Sequence, residues 1–545
     1  MLQLVRSTEP FDAIVVGSGA TGGWAAKKLT EAGMRIGLLE AGTKTTDVDF
    51  TDYHIGRTGS WSPPSSGIRA ARPIQSSCYA CREPRHRWFV NDLENPYCEV
   101  KPYRWIRMRV LGGRLLGWER QCYRMSNLDF KASSHDGYGD DWPISYEDIV
   151  PYYEEVERYL GVTGISERLP QLPDSVFVSG TNENLTAKFL RDSIRTKFGR
   201  VVTPARLAVM TSNYESDQAC YYYDPSKWGR PTISHFVTPW SALTDAAKTG
   251  RLALMTDAVA SHIVIKDGKA IGVGYVDRET HAWREVRGKL VLLCASTLES
   301  TRILLNSKIC NSSGMLGRYL MDHIHGGGAS GVMEGVTGPT VDSHQRGRVY
   351  IPRFRNVRGK FTNEFVRGYA FQGKSLPNLS EQRMQEDTNR LPRANRWTVV
   401  LSSFGECLAR QTNLVEIASD GLDAWGIPTL KIQAEWSENE LKIWRDACVQ
   451  GVEMLRAAGA KEIKVAERPS IPGLSVHETG TARMGFNSKT SVVNQYCQTH
   501  DVSNIFVTDG ACWVSSGCQN PTLTMMAITV RACDYIVREY LKQTT

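Results

Sequence analysis

Gly17, Gly19 and Gly22 form a G-x-G-x-x-G loop within Asp12-Ala-Ile-Val-Val-Gly-Ser-Gly-Ala-Thr-Gly-Gly, and Glu40 follows 23 residues after the first glycine. The chemistry such a set serves is the holding of a dinucleotide. Gly17 permits a tight turn, Gly19 removes a side chain where a pyrophosphate approaches the backbone, and Gly22 lets helix and strand pack closely. Ala20 and Thr21 open the helix whose free N–H groups and partial positive charge favour phosphate. Glu40 is spaced to accept hydrogen bonds from a ribose hydroxyl. Two segments near the other end also carry reactive residue types. One is His477-Glu-Thr-Gly-Thr-Ala-Arg-Met-Gly; the other runs from Val507-Thr-Asp-Gly-Ala-Cys-Trp to Asn520-Pro-Thr-Leu-Thr and continues helically to Leu541. Proline suits the first position of that helix, and Asn520 before it reads equally as an N-cap.

These residues need a sheet to bring them together. A short apolar run, Ala13 to Val16, precedes the loop. A helix-like stretch, Gly23 to Ala32, and a second apolar run, Ile36 to Leu39, follow it. Short β runs return at Leu252–Met255, Ser261–Ile265, Ala270–Tyr275 and Lys289–Cys294, the last leading into Ala295-Ser-Thr-Leu-Glu-Ser as a strand-to-helix passage. Alternating segments such as Trp397–Leu401 and Thr429–Gln433 suit an antiparallel sheet with one covered face. Tyr146 to Leu160, capped by Ser145, and Ser437 to Ala458 read as helices. Phe50 to Pro102, rich in Pro, Ser, Arg and aromatics, reads as a long excursion. The expected fold is α/β: a discontinuous Rossmann-like domain over 1–160, 250–335 and 474–545, with an inserted α+β substrate domain over 161–249 and 336–473, built on an antiparallel sheet.

Composition narrows the function classes. A chain of 545 residues exceeds one simple core. No run of about 18 apolar residues exists to span a membrane, and the N-terminus lacks the apolar segment of a signal peptide, so a cytoplasmic enzyme is expected. Net charge is +7 over the whole length, too dilute for nucleic-acid binding without a recognisable module. The cluster Arg69, Arg72, Arg82, Arg85, His86 and Arg87 reads as a solvated loop or a subunit contact. Thirteen scattered cysteines suit a reducing compartment. Cys78 and Cys81 make a lone C-x-x-C, and Cys98 and Cys122 do not complete a zinc site. His323 and His325 likewise lack further ligands at suitable spacing and read as packing residues, so no metal is expected.

With GSGATGG and Glu40, the Gly112-Gly113 loop, Cys294-Ala-Ser-Thr-Leu-Glu-Ser, Leu320-Met-Asp-His, HETGTARMG and TDGA with NPT, the chain resembles the flavin-dependent glucose–methanol–choline (GMC) oxidoreductases over nearly its whole length. Within them it is most similar to the bacterial branch of pyranose oxidases and the flavoprotein subunits of gluconate and glucoside dehydrogenases. The resemblance implies FAD. Gly17, Gly19, Ala20, Thr21 and Gly22 would hold the pyrophosphate, with the Gly112-Gly113 loop alongside. Glu40 would meet the adenosine ribose, the Val259-Ala260 backbone the adenine, Asp509 and Gly510 the phosphate and ribityl chain, and Pro521 and Thr522 the flavin ring, whose negative edge the helix end would face.

The resemblance makes His477 and Asn520 the catalytic pair. Oxidising a CH–OH group to a carbonyl removes a hydroxyl proton and a hydride, the hydride going to flavin N5. A histidine near its ordinary pKa of about 6.5 would take the proton, and Asn520 would donate to the developing alkoxide. A sugar or glycoside is the expected substrate, with Trp118 and Trp513 as residues that could stack on a pyranose or simply fill the core. A nonsugar alcohol such as a sterol or polyol, or a non-redox flavin-containing lyase, stays open. The electron acceptor would be oxygen, a quinone or a redox protein, and a homo-oligomer also stays open. Two departures stand out. Gly117 occupies the place where some relatives carry a flavin-linking histidine, which implies noncovalent FAD. Cys220 is alone where others carry a cysteine cluster, which implies no iron–sulfur cluster on this chain.

Overall fold

The computed structural model describes residues 9–44, 64–83, 85–178, 185–208, 241–339, 347–357, 364–378 and 393–544. Cys220 lies outside the described residues. Strand Phe11–Val16 is the centre of a parallel sheet because Ala13, Ile14 and Val15 are apolar and fully buried, as a strand covered on both faces requires. Ile36–Leu39 lies on one side and the C-terminal half of Trp283–Leu293 on the other; Leu252–Met255 and Ile505–Val507 extend the two flanks. The N-terminal half of Trp283–Leu293 turns to an antiparallel partnership with Lys269–Asp277, which pairs with Ala258–Lys266. The four β runs read from Leu252 onward are thus present. The passage after Cys294 enters helix Thr297–Ser307. Three distant stretches of chain build this one sheet.

A second, antiparallel sheet runs in the order Lys461–Lys464, Ile324–Pro339, Arg393–Gly405, Tyr369–Pro377, Arg348–Ile351 and Thr203–Pro204. It begins earlier than the boundary drawn after residue 335. Ile324 to Glu334 already pairs with Gly405 to Arg396, although the run His325-Gly-Gly-Gly-Ala-Ser has few side chains to show alternation. Pro428–Gln433 is a strand but belongs elsewhere: it joins Leu414–Leu422 and Cys98–Glu99 in a separate three-stranded sheet.

Helix Glu438–Ala457 covers one face of the six-stranded sheet. Ser437 and Glu440 cap it reciprocally, and Ile443, Ala447, Met454 and Leu455 pack on Phe371, Val399 and Leu401. Side chains alternate across a strand. With Phe371 against the helix, Ala370 and Gln372 point to the opposite face, where Ala370 meets Tyr123 and Cys518. That face is the ceiling of the site described below. Helix Tyr146–Leu160 starts at Ser145 in a capping box with Asp148 and packs on the C-terminal helix Thr522–Thr544, which also packs on Ala20–Glu31. Among the described residues no helix is long and apolar enough to cross a membrane.

Candidate active site

The N-terminal loop is closed by backbone contact. Gly17 has φ +99°, and a Cβ there would lie 2.4 Å from the Cys294 carbonyl oxygen. A Cβ on Gly22 would lie 1.8 Å from the Gly17 carbonyl oxygen. Both positions exclude every other residue on steric grounds. Gly19 differs. It is the N-cap of Ala20–Glu31 with no side chain to cap the helix, and a Cβ there would meet nothing nearer than the Gly112 carbonyl oxygen at 4.0 Å. The first helical N–H groups therefore face an open cleft.

Glu40 is held beside this loop. It accepts from the Ser18 N–H at 3.1 Å, from the Ser18 hydroxyl and from the Gly42 N–H at 2.7 Å. Burial pushes its carboxyl up, while these donors and Arg109 pull it back. The Ser18 hydroxyl in turn accepts from the Gly112 N–H at 2.9 Å, which fastens the double-glycine loop over the first one.

The cleft runs from Glu40, Val259 and Ala260, past Gly17, Gly19, Ala20, Thr21 and Gly113, along Asp509 and Gly510, to Pro521, Thr522, Trp118, His477 and Asn520. Gly22 and Gly112 are not among the residues that line it; they act one layer back, through the Gly17 carbonyl and the Ser18 hydroxyl. Asp509 accepts from the Ala511 N–H at 2.9 Å and the Ser300 hydroxyl at 2.5 Å, and burial raises it to about 6. Trp513 does not reach the cleft. It is fully buried, with its ring edge-on to Trp142 at 5.4 Å, so it fills the core and cannot stack on a substrate.

Backbone hydrogen bonds lace three motifs together at the far end. The Gly480, Ala482 and Met484 N–H groups donate to the carbonyls of Gly510, Ala511 and Cys512, at 2.8, 2.8 and 2.9 Å. Met321 and Thr479 exchange both of their backbone bonds, at 2.9 and 3.0 Å. Asp322 then organises the turn before His477: its carboxylate accepts from the Gly473 N–H at 2.7 Å, the His477 N–H at 3.1 Å and the Ser475 hydroxyl. Burial raises this carboxyl to about 6.

His477 Nε2 lies 3.3 Å from Asn520 Nδ2, and the Asn520 Oδ1 accepts from Gln372 Nε2 at 2.6 Å. The amide is engaged with these two side chains, and the first bond of the following helix runs from the Met525 N–H to the Pro521 carbonyl. Pro521, preceding Thr522–Thr544, therefore takes the cap position assigned to Asn520, one residue later than expected. His323 is a second correction: its Nδ1 lies 2.9 Å from His477 Nδ1, and its Nε2 faces the Ser516 carbonyl at 3.5 Å. It touches the predicted base directly. His325 stacks on Phe404 at 4.5 Å and its Nδ1 meets the Ser403 carbonyl at 3.0 Å, yet it too lines the cleft.

These contacts select tautomers. A carbonyl only accepts, so His323 carries its proton on Nε2 and offers a lone pair at Nδ1. His477 must then donate from Nδ1, which leaves its Nε2 lone pair toward the cleft. Burial holds His477 well below the ordinary imidazole value, with His323, Arg114 and His325 adding to it. Burial also lowers His323 to about 4. The expectation of an unperturbed value thus gives way to a ring that is neutral throughout the neutral range. Among the described residues no group of three or more His, Cys, Asp or Glu is placed to hold a metal ion. The sequence does not single out Asp322, His323 or Gln372 as site residues. The first two sit inside the LMDH segment, which was visible; nothing near Gln372 marked it.

The open Gly19 corner, the buried Glu40 and the continuous path to His477 fit a dinucleotide whose far end carries the reacting ring. The GMC oxidoreductase family models match residues 208–325 and 409–529. The chain is 30% identical to the 2-methyl-1,2-propanediol dehydrogenase of Mycolicibacterium austroafricanum, over 98% of this chain and 97% of that protein. The chain belongs to the GMC oxidoreductase family. It is also 25% identical to the fructose dehydrogenase large subunit of Gluconobacter japonicus, covering 99% of each chain. The solved pyridoxine 4-oxidase structure shares the fold, with a TM-score of 0.60 at 16% identity over 97% of this chain and 99% of that one. This GMC oxidoreductase is therefore an FAD-dependent enzyme acting on CH–OH donors.

Proposed function

We propose that this enzyme oxidises a CH–OH group of a sugar or glycoside to a carbonyl, with His477 as general base and Asn520 as hydrogen-bond donor to the substrate oxygen. The observation that carries it is the pairing of a neutral His477, its Nε2 lone pair turned to the cleft, with the Asn520 amide 3.3 Å away. A hydroxyl seated against both, in place of their mutual contact, would give its proton to Nε2 and keep its oxygen beside Nδ2, where negative charge develops. FAD, when bound, accepts the hydride at flavin N5. Relatives named for a diol and for fructose support a polyhydroxylated substrate, and Trp118 lines the same end of the cleft.

FAD is held without a covalent bond in this reading. Gly17, Gly19, Ala20, Thr21, Gly22 and the Gly112-Gly113 loop hold the pyrophosphate, Glu40 the adenosine ribose, Val259 and Ala260 the adenine, Asp509 and Gly510 the phosphate and ribityl chain, and Pro521 and Thr522 the ring. Gly117 supports this, since it has no side chain to form the link. Electrons leave to oxygen, a quinone or a redox protein. Anaerobic mixing with a panel of sugars, glycosides and simple alcohols tests the reaction: bleaching of the flavin band by a sugar or glycoside is expected, and a flavin left oxidised by every member would overturn it. Acid precipitation tests the link, with yellow FAD expected in the supernatant rather than in the washed pellet.

A further inference from the structure

The hydrogen bonds at Asn520 continue past the two groups that face the substrate. Gln372 donates from Nε2 to Asn520 Oδ1 at 2.6 Å, and its own Oε1 accepts from Gln121 Nε2 at 2.5 Å. Gln121 Oε1 accepts from the Tyr123 hydroxyl at 2.6 Å. Tyr123 is fully buried and stacks on Tyr350 at 3.8 Å between ring centres. On the other side the chain continues through His477 and His323 to the Ser516 carbonyl.

Six side chains thus form one line, and its polarity is set from one end. The Ser516 carbonyl accepts, so His323 donates from Nε2, His477 donates from Nδ1, and Asn520 must offer Nδ2 to the His477 lone pair. Asn520 then presents Oδ1 to Gln372, which requires Gln372 to present Nε2, and Gln121 likewise. No amide in the line can be turned without setting two acceptors or two donors against each other. Gln372 is fixed by its strand, Tyr369–Pro377 of the ceiling sheet, where it lies directly opposite Ser402 and Tyr350.

We propose that Gln372, held by Gln121, is a positioning residue that keeps the Asn520 amide turned with Nδ2 toward His477 and the substrate oxygen. This rests on the reading of His477 and Asn520 above. If Asn520 were turned over, its Oδ1 would face His477 Nε2 and hold a proton there. The ring would lose the lone pair that takes the substrate proton, and the alkoxide would lose its donor. Gln372 also lines the cleft, but the role proposed for it runs through Asn520, whose amide it orients.

The test uses the FAD-loaded full chain. Gln372→Glu keeps shape but, once ionised, can only accept, and Gln372→Met can do neither. Both are expected to slow anaerobic flavin reduction at saturating substrate about 10- to 100-fold. The half-saturating concentration should stay within about three-fold if Gln372 acts through Asn520; a larger rise with the saturated rate little changed would mark a direct substrate contact instead and overturn the proposal. In an Asn520→Ala background Gln372→Met should change the rate less than about two-fold, since the residue it orients is gone. Reduction within about two-fold of wild type in both single variants would overturn the proposal, as would a full Gln372→Met effect that persists without Asn520.

A second readout needs no turnover. Nitrogen NMR of protein labelled in histidine should show His477 protonated on Nδ1 and His323 on Nε2 in wild type, with His477 moving toward the Nε2 tautomer in Gln372→Glu. A wild-type His477 protonated on Nε2 would sink the relay. If no sugar or alcohol bleaches the wild-type flavin, the reading of function fails while these spectra still decide the relay.

Discussion

The phosphate cradle and the catalytic corner are built on opposite plans. The cradle is nearly contiguous, from Phe11 to Gly42, and works by having no side chains at Gly17, Gly19 and Gly22. The corner is made only of side chains and draws on residues near 121, 322, 372, 477 and 520. At Gly17 and Gly22 a single added carbon meets backbone that cannot move. In the corner a substitution leaves the fold standing and alters which atom holds a proton. Steric damage in one region and chemical damage in the other should therefore separate cleanly.

The largest effect expected is at the base. His477→Ala should slow anaerobic flavin reduction about 10²–10⁴-fold, the usual reach of general-base catalysis, with FAD retained and the melting temperature little changed. A variant that bleaches at the wild-type rate would move the base elsewhere. In the cradle, Gly22→Ala drives a Cβ into the Gly17 carbonyl, and overpacking of this kind costs about 1–3 kcal/mol or more. Denaturant unfolding should register that loss even without FAD. Gly19→Ala sharpens the contrast: its Cβ enters open cleft, so the apoprotein should unfold as wild type while FAD dissociates more readily.

The acid limb of kcat/KM offers a finer test. Because burial and neighbouring charge lower His477, the ring stays neutral as pH falls through 6.5, the ordinary value. Activity should hold through that point and decline only at lower pH, as Nε2 gains a proton. A limb at or above about 6.5 would contradict the depressed value. The smallest effect belongs to the Asn520 cap. A lost N-cap costs about 0.5–2 kcal/mol; since Pro521 begins the helix bonding and the Asn520 amide is turned to Gln372 and His477, Asn520→Ala should slow reduction with a stability loss below that range, read by thermal unfolding.

The Cys78–Cys81 pair shows how a motif can dissolve on folding. Both thiols are buried and pack with Phe89, Ala80 and Ile106. Burial raises both thiols, Cys81 to about 12. They behave as small apolar residues.

What the sequence determined by itself is the part governed by short-range geometry. The loop from Gly17 to Gly22, the strands on either side and the helices opened by Ser145 and Ser437 follow from turn sterics, apolar runs and caps a few residues apart. The order of motifs likewise brought out the GMC family. Tertiary structure alone decided the rest. A histidine's tautomer depends on which atom faces it, and His323 comes to His477 through backbone pairing of Met321 with Thr479 across more than 150 positions. Gln372 and Gln121 are polar residues like many others until a strand of the antiparallel sheet and a distant loop bring them to Asn520. Trp513 and Asn520 share one stretch of chain, yet packing sends the first into the core and the second to the cleft, because a side chain's direction is set by what the whole molecule packs against it.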